Sequence, residues 1–230
     1  MLPFDPTPII SAITVFILPA IFAITFHEAA HGFVAHKLGD DTAWRMGRVT
    51  FNPLRHIDLF GTIVIPLVLI LTAGIPFGYA KPVPVNFNQL RHPRTDMIWV
   101  ALAGPVTNII LAIVSALLLY IVPFVPEAGA RWLQAALQGS INLNIVLAVF
   151  NMLPLPPLDG GRVAVGILPD ALAFRLAGME RYGLVLIVGL LILMPMLGQR
   201  LGMDLDVFGY LVGIPSAYAK YGILWLTGHV

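Results

Sequence analysis

The chain has 230 residues, of which 58% are hydrophobic and 11% are charged, and its mean hydropathy is +0.88. Because a soluble domain carries about 25% charged residues, this composition predicts an integral membrane protein. The formal net charge of +1 gives no indication of a nucleic-acid partner, and the absence of cysteine excludes disulfides and thiol catalysis.

Six uncharged apolar segments predict membrane-embedded helices, because roughly 20 apolar residues span the hydrocarbon core. The N-terminal residues before the first segment have no basic region and no small-residue cleavage site, so a cleaved signal peptide is not expected. We predict an all-α membrane bundle of about five to six transmembrane helices with a re-entrant segment. The segments are residues 9–26, 59–80, 97–125, 133–158, 182–199 and 207–219.

Two polar stretches between these segments predict extended structure at the membrane surface. Residues 41–61 carry Thr, Val and Phe near their centre and are bounded by Gly and Pro, which is typical of short strands or a hairpin. Residues 78–96 contain Pro82 and Pro84, and a proline disfavours helix at the residue before it. We therefore expect short surface β-strands beside the helices.

The stretch FAITFHEAAHGFVAH places ionisable residues directly after the first apolar segment. His27 and His31 are spaced i, i+4 and share one helix face, whereas Glu28 is turned from His27 by about 100°. In this HExxH arrangement two neutral imidazoles hold Zn²⁺, and the carboxylate takes a proton from water that the metal activates.

The motif has an alternative interpretation in which it binds no metal. A histidine on an apolar helix is often a packing residue, and an HExxH match in a soluble helix is often chance. In a membrane segment this alternative is weaker, because each ionisable group without a partner costs roughly a few kcal/mol. The motif is therefore interpreted as a metal site.

A third zinc ligand is expected from another segment, since a catalytic zinc usually has about three protein ligands and one open position. Asp159 is the candidate, because almost every other acidic residue lies in a predicted loop. It follows NMLPLPPL, where prolines prevent a regular helix, and irregular backbone at membrane depth must line an enclosed or wet cavity. Gly160 and Gly161 then allow close backbone packing. An ordinary turn with a capping aspartate is the alternative.

Several stretches together resemble the site-2 protease family of intramembrane zinc metalloproteases, peptidase family M50. The resemblance implies that His27, His31 and Asp159 are the zinc ligands. It also implies that Glu28 is the catalytic base, and that Asn151 lies near the catalytic centre, where it holds substrate or stabilises the transition state. The matching stretches are HEAAH, NMLPLPPLDGG, ALAGPVTN at residues 101–108 and GYAKPVPVN at residues 78–86.

The resemblance is to minimal members of the family, because the chain leaves no room for the PDZ or CBS domain of many relatives. It implies one membrane-embedded metalloprotease domain over residues 1–230, with a catalytic core at about 8–168 and C-terminal helices at about 181–226. We expect an intramembrane zinc endopeptidase with one catalytic Zn²⁺, whose partners are the lipid bilayer and transmembrane protein or peptide substrates.

The two metal-binding segments are expected to run parallel, because each motif lies late in its segment and both must reach one depth. An odd number of crossings then separates them, so residues 59–80 are predicted to be re-entrant and residues 97–125 to cross. Most basic residues then lie on one face, which the positive-inside rule makes cytosolic. The active site would lie toward the cytosolic side of a bacterial or archaeal cell membrane. The basic residues of this face are Lys37, Arg45, Arg48, Arg55, Lys81, Arg91, Arg94, Arg162, Arg175 and Arg181.

Two other functions compete with proteolysis. A zinc transporter, or another membrane zinc-binding protein without peptidase activity, would favour further histidines or acidic residues within the spans. A catalytically dead relative would lack Glu28 or a ligand, and all of these residues are present. The remaining histidines lie at segment ends or in loops: His36, His56, His92 and His229.

Three further features of the sequence have interpretations outside the metal site. Gly104 and Pro105 are interpreted as shaping a helix start, and Asn108 as an interhelical hydrogen-bonding residue rather than a catalytic one. Residues 80–86 either pair with substrate as an added strand or form a surface loop that prolines stiffen.

Overall fold

The computed structural model describes residues 7–65, 68 and 80–230, and these residues form helices, turns and irregular segments without a β-strand. The helices are α1 Thr7–Lys37, α2 Thr42–Arg45, α3 Pro93–Leu118, α4 Glu127–Asn151, α5 Asp159–Ile167, α6 Asp170–Gly178, α7 Gly183–Val188, α8 Met194–Leu201 and α9 Ile214–Leu226. Short 3-10 turns cover Pro53–Arg55, Phe87–Gln89, Leu119–Phe124 and Glu180–Tyr182, and π-helical segments cover Leu59–Val64, Gly189–Leu193 and Gly209–Gly213.

Three helices of the described residues are long and apolar enough to span a membrane: Thr14–Lys37, Pro93–Phe124 and Gly129–Asn151. A fourth candidate is a pair, Asp170–Tyr182 and Val185–Leu201, which is bent by 74°. The described residues therefore contain three to four candidate spans, and the predicted five to six are not confirmed. Hydropathy reports composition alone. Of the last two apolar segments, Val185–Leu201 is a candidate span only together with the preceding Asp170–Tyr182, and α9 has 13 residues.

The predicted surface strands are not confirmed in the described part of the chain. The first polar stretch forms α2 and turns, and residues 80–86 are extended without a partner strand. Pro82 and Pro84 have no N–H to donate, and the N–H groups of Val83 and Asn86 donate to acidic side chains. Side chains and one backbone hydrogen bond, from Lys81 to His56, hold this segment in its extended form in place of a second strand.

The helices α1 and α3 pack side by side in opposite directions. His27 lies beside Asn108, whereas His31, one turn later in α1, lies beside Val100, two turns earlier in α3. These polar contacts lie on the face of α1 that carries the predicted metal ligands.

The helix α4 is antiparallel to α3 and therefore runs in the same direction as α1. Asn144 of α4 bonds to Asn108 of α3, and Ser140, one turn earlier, bonds to Ser115. This arrangement confirms the predicted parallel direction of the two segments that carry the metal motifs. It leaves α3 as the antiparallel helix between them.

Small residues bring these helices close together. Ala112 and Ala116 of α3 are fully buried and pack against Ile141 and Ile145 of α4 and Ile223 of α9. Without large side chains at the two alanines, the helix backbones approach closely, which favours packing inside a bilayer. The core therefore joins the C-terminal helix to the bundle that carries the site.

The predicted re-entrant segment, residues 59–80, lies largely outside the described residues. Within it, Leu59–Val64 forms a helical turn, whose N-terminus is capped by Asp58 through the N–H groups of Phe60 and Gly61. The absence of a crossing between α2 and α3 therefore stays a prediction.

The helix α5 begins at Asp159 and packs tightly against the loop that precedes it. A Cβ on Gly160 would overlap the carbonyl oxygen of Met152, and a Cβ on Gly161 would overlap the backbone of Pro156. Only glycine fits at these two positions, as the sequence predicted. The close approach fixes where the carboxylate of Asp159 enters the bundle.

Arg94 of α3 holds the other end of α5. Its guanidinium donates to the carbonyl oxygen of Gly166 at 3.0 Å, to that of Leu168, and to the carboxylate of Asp170 at 2.7 Å. A planar guanidinium with several donors is well suited to bridge such a helix end. Both ends of α5 are thus fixed relative to the rest of the bundle.

Candidate metal centre

The side chains of His27, His31 and Asp159 converge on one buried point. The two Nε2 atoms are 3.0 Å apart, and Oδ2 of Asp159 lies 3.2 Å from Nε2 of His27 and 3.3 Å from Nε2 of His31. The three residues are 6–7% exposed, and their ligand atoms all lie within 4.8 Å of one another. The structure thus brings together the residues that the sequence predicted as a ligand set.

Each imidazole is oriented by a hydrogen bond at its other nitrogen. Nδ1 of His27 lies 2.6 Å from Oδ1 of Asn108, and Nδ1 of His31 lies 2.7 Å from the carbonyl oxygen of Val100. Both partners are acceptors, and the amide nitrogen of Asn108 is occupied in donating to Asn144. The proton of each neutral ring therefore sits on Nδ1, and the lone pair of Nε2 points to the centre.

This donor set fits zinc. Three lone-pair acceptors at about 3 Å repel one another unless a cation lies between them. Oδ2 of Asp159 is buried and has no hydrogen-bond partner among the described residues, which is costly for a carboxylate oxygen in the protein interior. Zinc–ligand bonds of about 2.0–2.1 Å separate tetrahedral ligand atoms by about 3.3–3.4 Å, close to the distances seen here.

Gly104 of α3 provides the space at this centre. A Cβ at this position would lie 2.5 Å from Cε1 of His27 and from Nε2 of His31. The interpretation of Gly104 and Pro105 as a helix start is wrong, since both lie inside α3, which begins at Pro93. The glycine keeps α3 close to the histidines without filling the metal position.

Glu28 is half-buried and is not part of the convergent group. Its Oε2 accepts the backbone N–H of Val83 at 2.7 Å. The residue therefore faces the extended segment 80–86, as expected for a side chain turned away from the two histidines on the helix.

Asn151 is the last residue of α4 and precedes the loop that leads to Asp159. Its side-chain amide donates to the carbonyl oxygen of Leu147 in the same helix at 3.0 Å. In the described part of the chain it makes no hydrogen bond to the three converging residues, so its catalytic role stays a prediction.

Sequence reasoning missed the polar partners of the histidines on α3 and α4. Asn108 was predicted to bond between helices, which is confirmed, but its contact with His27 was not foreseen. Asn144 was not considered, although it is 1% exposed and donates to the backbone carbonyl of Ser140 at 2.9 Å. The available signal was an asparagine within each of two apolar helices, since such groups need partners there.

Known proteins resemble this chain over most of its length. The model of the family described as peptidase family M50 matches residues 15–141, which include both histidines and Asn108 but not Asp159. The chain is 42% identical over 183 residues to the Bacillus subtilis protein named "Putative zinc metalloprotease YwhC", with 76% of this chain and 79% of that protein covered. No solved structure matches the chain.

Two further relatives have the same kind of name. The protein named "Putative zinc metalloprotease Rip2" of Mycolicibacterium smegmatis is 30% identical over 190 residues, with 80% of this chain and 70% of that protein covered. The protein named "Putative zinc metalloprotease MJ0611" of Methanocaldococcus jannaschii is 34% identical over 155 residues, with 66% of this chain and 71% of that protein covered.

Proposed function

Since this chain belongs to peptidase family M50, the site-2 protease family, and is a zinc metalloprotease, we propose that it cleaves transmembrane segments of membrane proteins. One observation carries this proposal: the convergent ligand set is buried among helices of membrane-spanning length. Two of its residues lie on α1, within the candidate span Thr14–Lys37. A site in that position favours substrates that share the membrane.

The proposed zinc ligands are His27, His31 and Asp159, which meet at one point with lone pairs directed inward. Zinc bound there would polarise a scissile carbonyl and lower the pKa of water. The protein contributes a rigid, buried frame for the ion, because α5 is fixed at both ends and both imidazoles are oriented by hydrogen bonds.

Glu28 is the proposed general base. It takes a proton from the attacking water and passes it to the leaving amine when the peptide bond breaks. Asn151 is proposed to contact the substrate or to stabilise the developing negative charge, because it ends the helix that leads into the Asp159 loop. For this role the Asn151 side chain would give up its hydrogen bond to the Leu147 carbonyl and bond to the substrate instead.

The substrate must present unwound backbone, since an intact helix occupies its carbonyls in internal hydrogen bonds. Residues 80–86 are proposed to pair with it as an added strand. In an extended chain the N–H groups of Val83 and Val85 lie on the same edge. Glu28 occupies the N–H of Val83, whereas no partner of the Val85 N–H is seen in the described residues, so Val85 offers the donor for the substrate. The prolines at positions 82 and 84 remove the donors of the other edge.

The chain is a membrane protein, and we place it in a bacterial or archaeal cell membrane with the site toward the cytosol. The excess of lysine and arginine near that end of the bundle supports this orientation. We treat residues 1–230 as one membrane-embedded protease domain, because α9 packs into the same core as α3 and α4.

The test is cleavage by purified protein in liposomes. The probe is a transmembrane peptide with central Gly and Asn residues that weaken its helix, and products are mapped by mass spectrometry. We expect cuts within the apolar segment and an activity about 10²–10⁴-fold lower for Glu28→Gln. Cuts confined to the aqueous flanks, or wild-type activity of Glu28→Gln, would refute the proposal.

A further inference from the structure

The backbone N–H of Val83 donates a hydrogen bond of 2.7 Å to Oε2 of Glu28, which lies 55 positions earlier in the chain. We propose that this hydrogen bond positions the catalytic base. It fixes one oxygen of the carboxylate and leaves Oε1 to accept the proton of the attacking water. The inference rests on the proposed function, because that function makes Glu28 the base.

The donor is fixed in place by contacts on its N-terminal side. Nη2 of Arg48 donates to the carbonyl oxygens of Lys81 at 2.9 Å and Pro82 at 3.3 Å. The N–H of Lys81 donates to the carbonyl oxygen of His56 at 2.9 Å. Arg48 is itself 7% exposed, so this end of the segment is anchored by a buried cation.

The C-terminal side is anchored by a buried anion. Oδ2 of Asp40 accepts the N–H of Asn86 at 2.6 Å, and Oδ1 accepts the N–H of Thr42 at 2.9 Å. Asp40 is fully buried, and a hydrogen bond to a charged acceptor is stronger than one between neutral groups. Because Val83 lies between these two anchored ends of a short segment, its amide has little freedom to move away.

The side chain of Val83 packs against α1 and so fixes the distance between its backbone amide and that helix. It is 7% exposed, and a Cβ on Gly32 would lie 3.0 Å from its Cγ1. Gly32 lies one turn after Glu28 in the same helix. The valine therefore packs on the helix directly beside the base, and the absence of a side chain at position 32 allows this close approach.

The sequence around Val83 makes this hydrogen bond specific. Pro82 and Pro84 have no N–H, so Val83 supplies the one backbone donor of this tripeptide. A glutamate side chain without such a partner samples several rotamers, and holding a catalytic group in its working geometry removes that cost from the reaction. We therefore assign Val83 as a positioning residue that acts through its main chain.

Hydrogen exchange tests the contact without any measurement of activity. The Val83 amide is readily isolated in a peptide fragment, because the prolines on both sides of it carry no exchangeable N–H. We expect this amide to exchange slowly in the wild type and in Glu28→Gln, which keeps an acceptor oxygen. In Glu28→Ala it should exchange faster, and equal exchange in all three proteins would overturn the proposal.

Activity tests the positioning role. Replacing the amide of residue 83 by a backbone ester removes the donor and keeps the valine side chain, and it also makes the Pro82 carbonyl a weaker acceptor for Arg48. We expect kcat to fall about 10- to 100-fold, the rate equivalent of one hydrogen bond to a charged group, with KM and bound zinc unchanged. Val83→Ala keeps the N–H, and its loss of kcat should be smaller than that of the ester.

A double-variant cycle separates this role from general packing. The shorter side chain of Glu28→Asp falls short of Val83, so the ester should cause little further loss in that background. Multiplicative losses would overturn the proposal, as would an ester enzyme with the kcat of the wild type. Failure of the proposed function has a different signature, since it shows as wild-type activity of Glu28→Gln or as cuts confined to the aqueous flanks of the probe.

Discussion

Oδ1 of Asn108 lies 2.6 Å from Nδ1 of His27, although the two residues are 81 positions apart in the chain. A buried amide on α3 thereby sets the tautomer and orientation of a proposed zinc ligand on α1. Its nitrogen donates to Asn144 of α4 at 2.8 Å, so one side chain links three helices to the site. Zinc affinity should therefore depend on helix packing as well as on the ligands.

Asn108→Ala is expected to weaken zinc binding about 10- to 100-fold, the usual effect of removing the partner of a ligating histidine. The substitution leaves the N–H of His27 without an acceptor in a buried position, so the ring loses its fixed orientation. Competition with a chromophoric chelator measures the affinity.

Asn144→Ala is the matched control for that variant, because it removes a partner from the same network but keeps the contact between Asn108 and His27. It should lower thermal stability and reduce zinc affinity by less than Asn108→Ala. An equal loss of affinity in the two variants would show that general packing, rather than the orientation of His27, is responsible.

Gly104→Ala is expected to abolish stable zinc binding, since the added methyl group would lie 2.5 Å from both imidazoles. Either the rings turn away from the centre or α3 moves, and each disrupts the ligand set. Gly222→Ala in α9 is the control, because a Cβ there meets nothing within 4 Å. Zinc content after purification in both variants decides the matter, and a fully loaded Gly104→Ala protein would contradict the structure.

Removing zinc should invert the effect of Asp159→Asn on stability. With each imidazole neutral and its proton on Nδ1, the metal-free wild type holds three mutually repelling acceptors in a buried site. The amide that replaces the carboxylate can donate to one of them, so metal-free Asp159→Asn should melt at or above the temperature of the metal-free wild type. With zinc present the wild type should unfold at a higher temperature than Asp159→Asn, because bound metal stabilises the native state. Thermal unfolding of both proteins, with and without chelator, shows whether the order reverses.

The sequence predicted the chemistry of the site better than its surroundings. HEAAH and a lone aspartate after a proline-rich stretch identified three converging residues, because few explanations exist for such groups in apolar segments. The contacts of Gly104 and Asn144 could not be predicted, since they depend on how α3 and α4 are rotated against α1. Helical periodicity does not specify that rotation between two largely apolar surfaces.

The fold shows the same division. The parallel direction of α1 and α4 was predicted correctly, because their motifs must lie at the same depth. The number of membrane spans could not be predicted in this way, because it depends on the path that each apolar segment takes through the bundle. Residues 182–199 are apolar enough to cross, yet the helical stretch Val185–Leu201 is a candidate span only together with Asp170–Tyr182, from which it is bent by 74°. Residues 80–86 were predicted to be extended, either as an added strand or as a surface loop that prolines stiffen. The hydrogen bonds that fix them to Glu28 and Asp40 left no signal in the sequence beyond two prolines.

Zinc content per chain, measured by mass spectrometry on wild type, Asp159→Ala and Glu28→Gln purified in parallel, tests the proposed ligand set most directly. We expect one zinc ion in the wild type and in Glu28→Gln, and a large loss in Asp159→Ala. Full zinc content and unchanged affinity in Asp159→Ala would contradict the ligand set, and loss of zinc in Glu28→Gln would contradict the assignment of Glu28 as base rather than ligand.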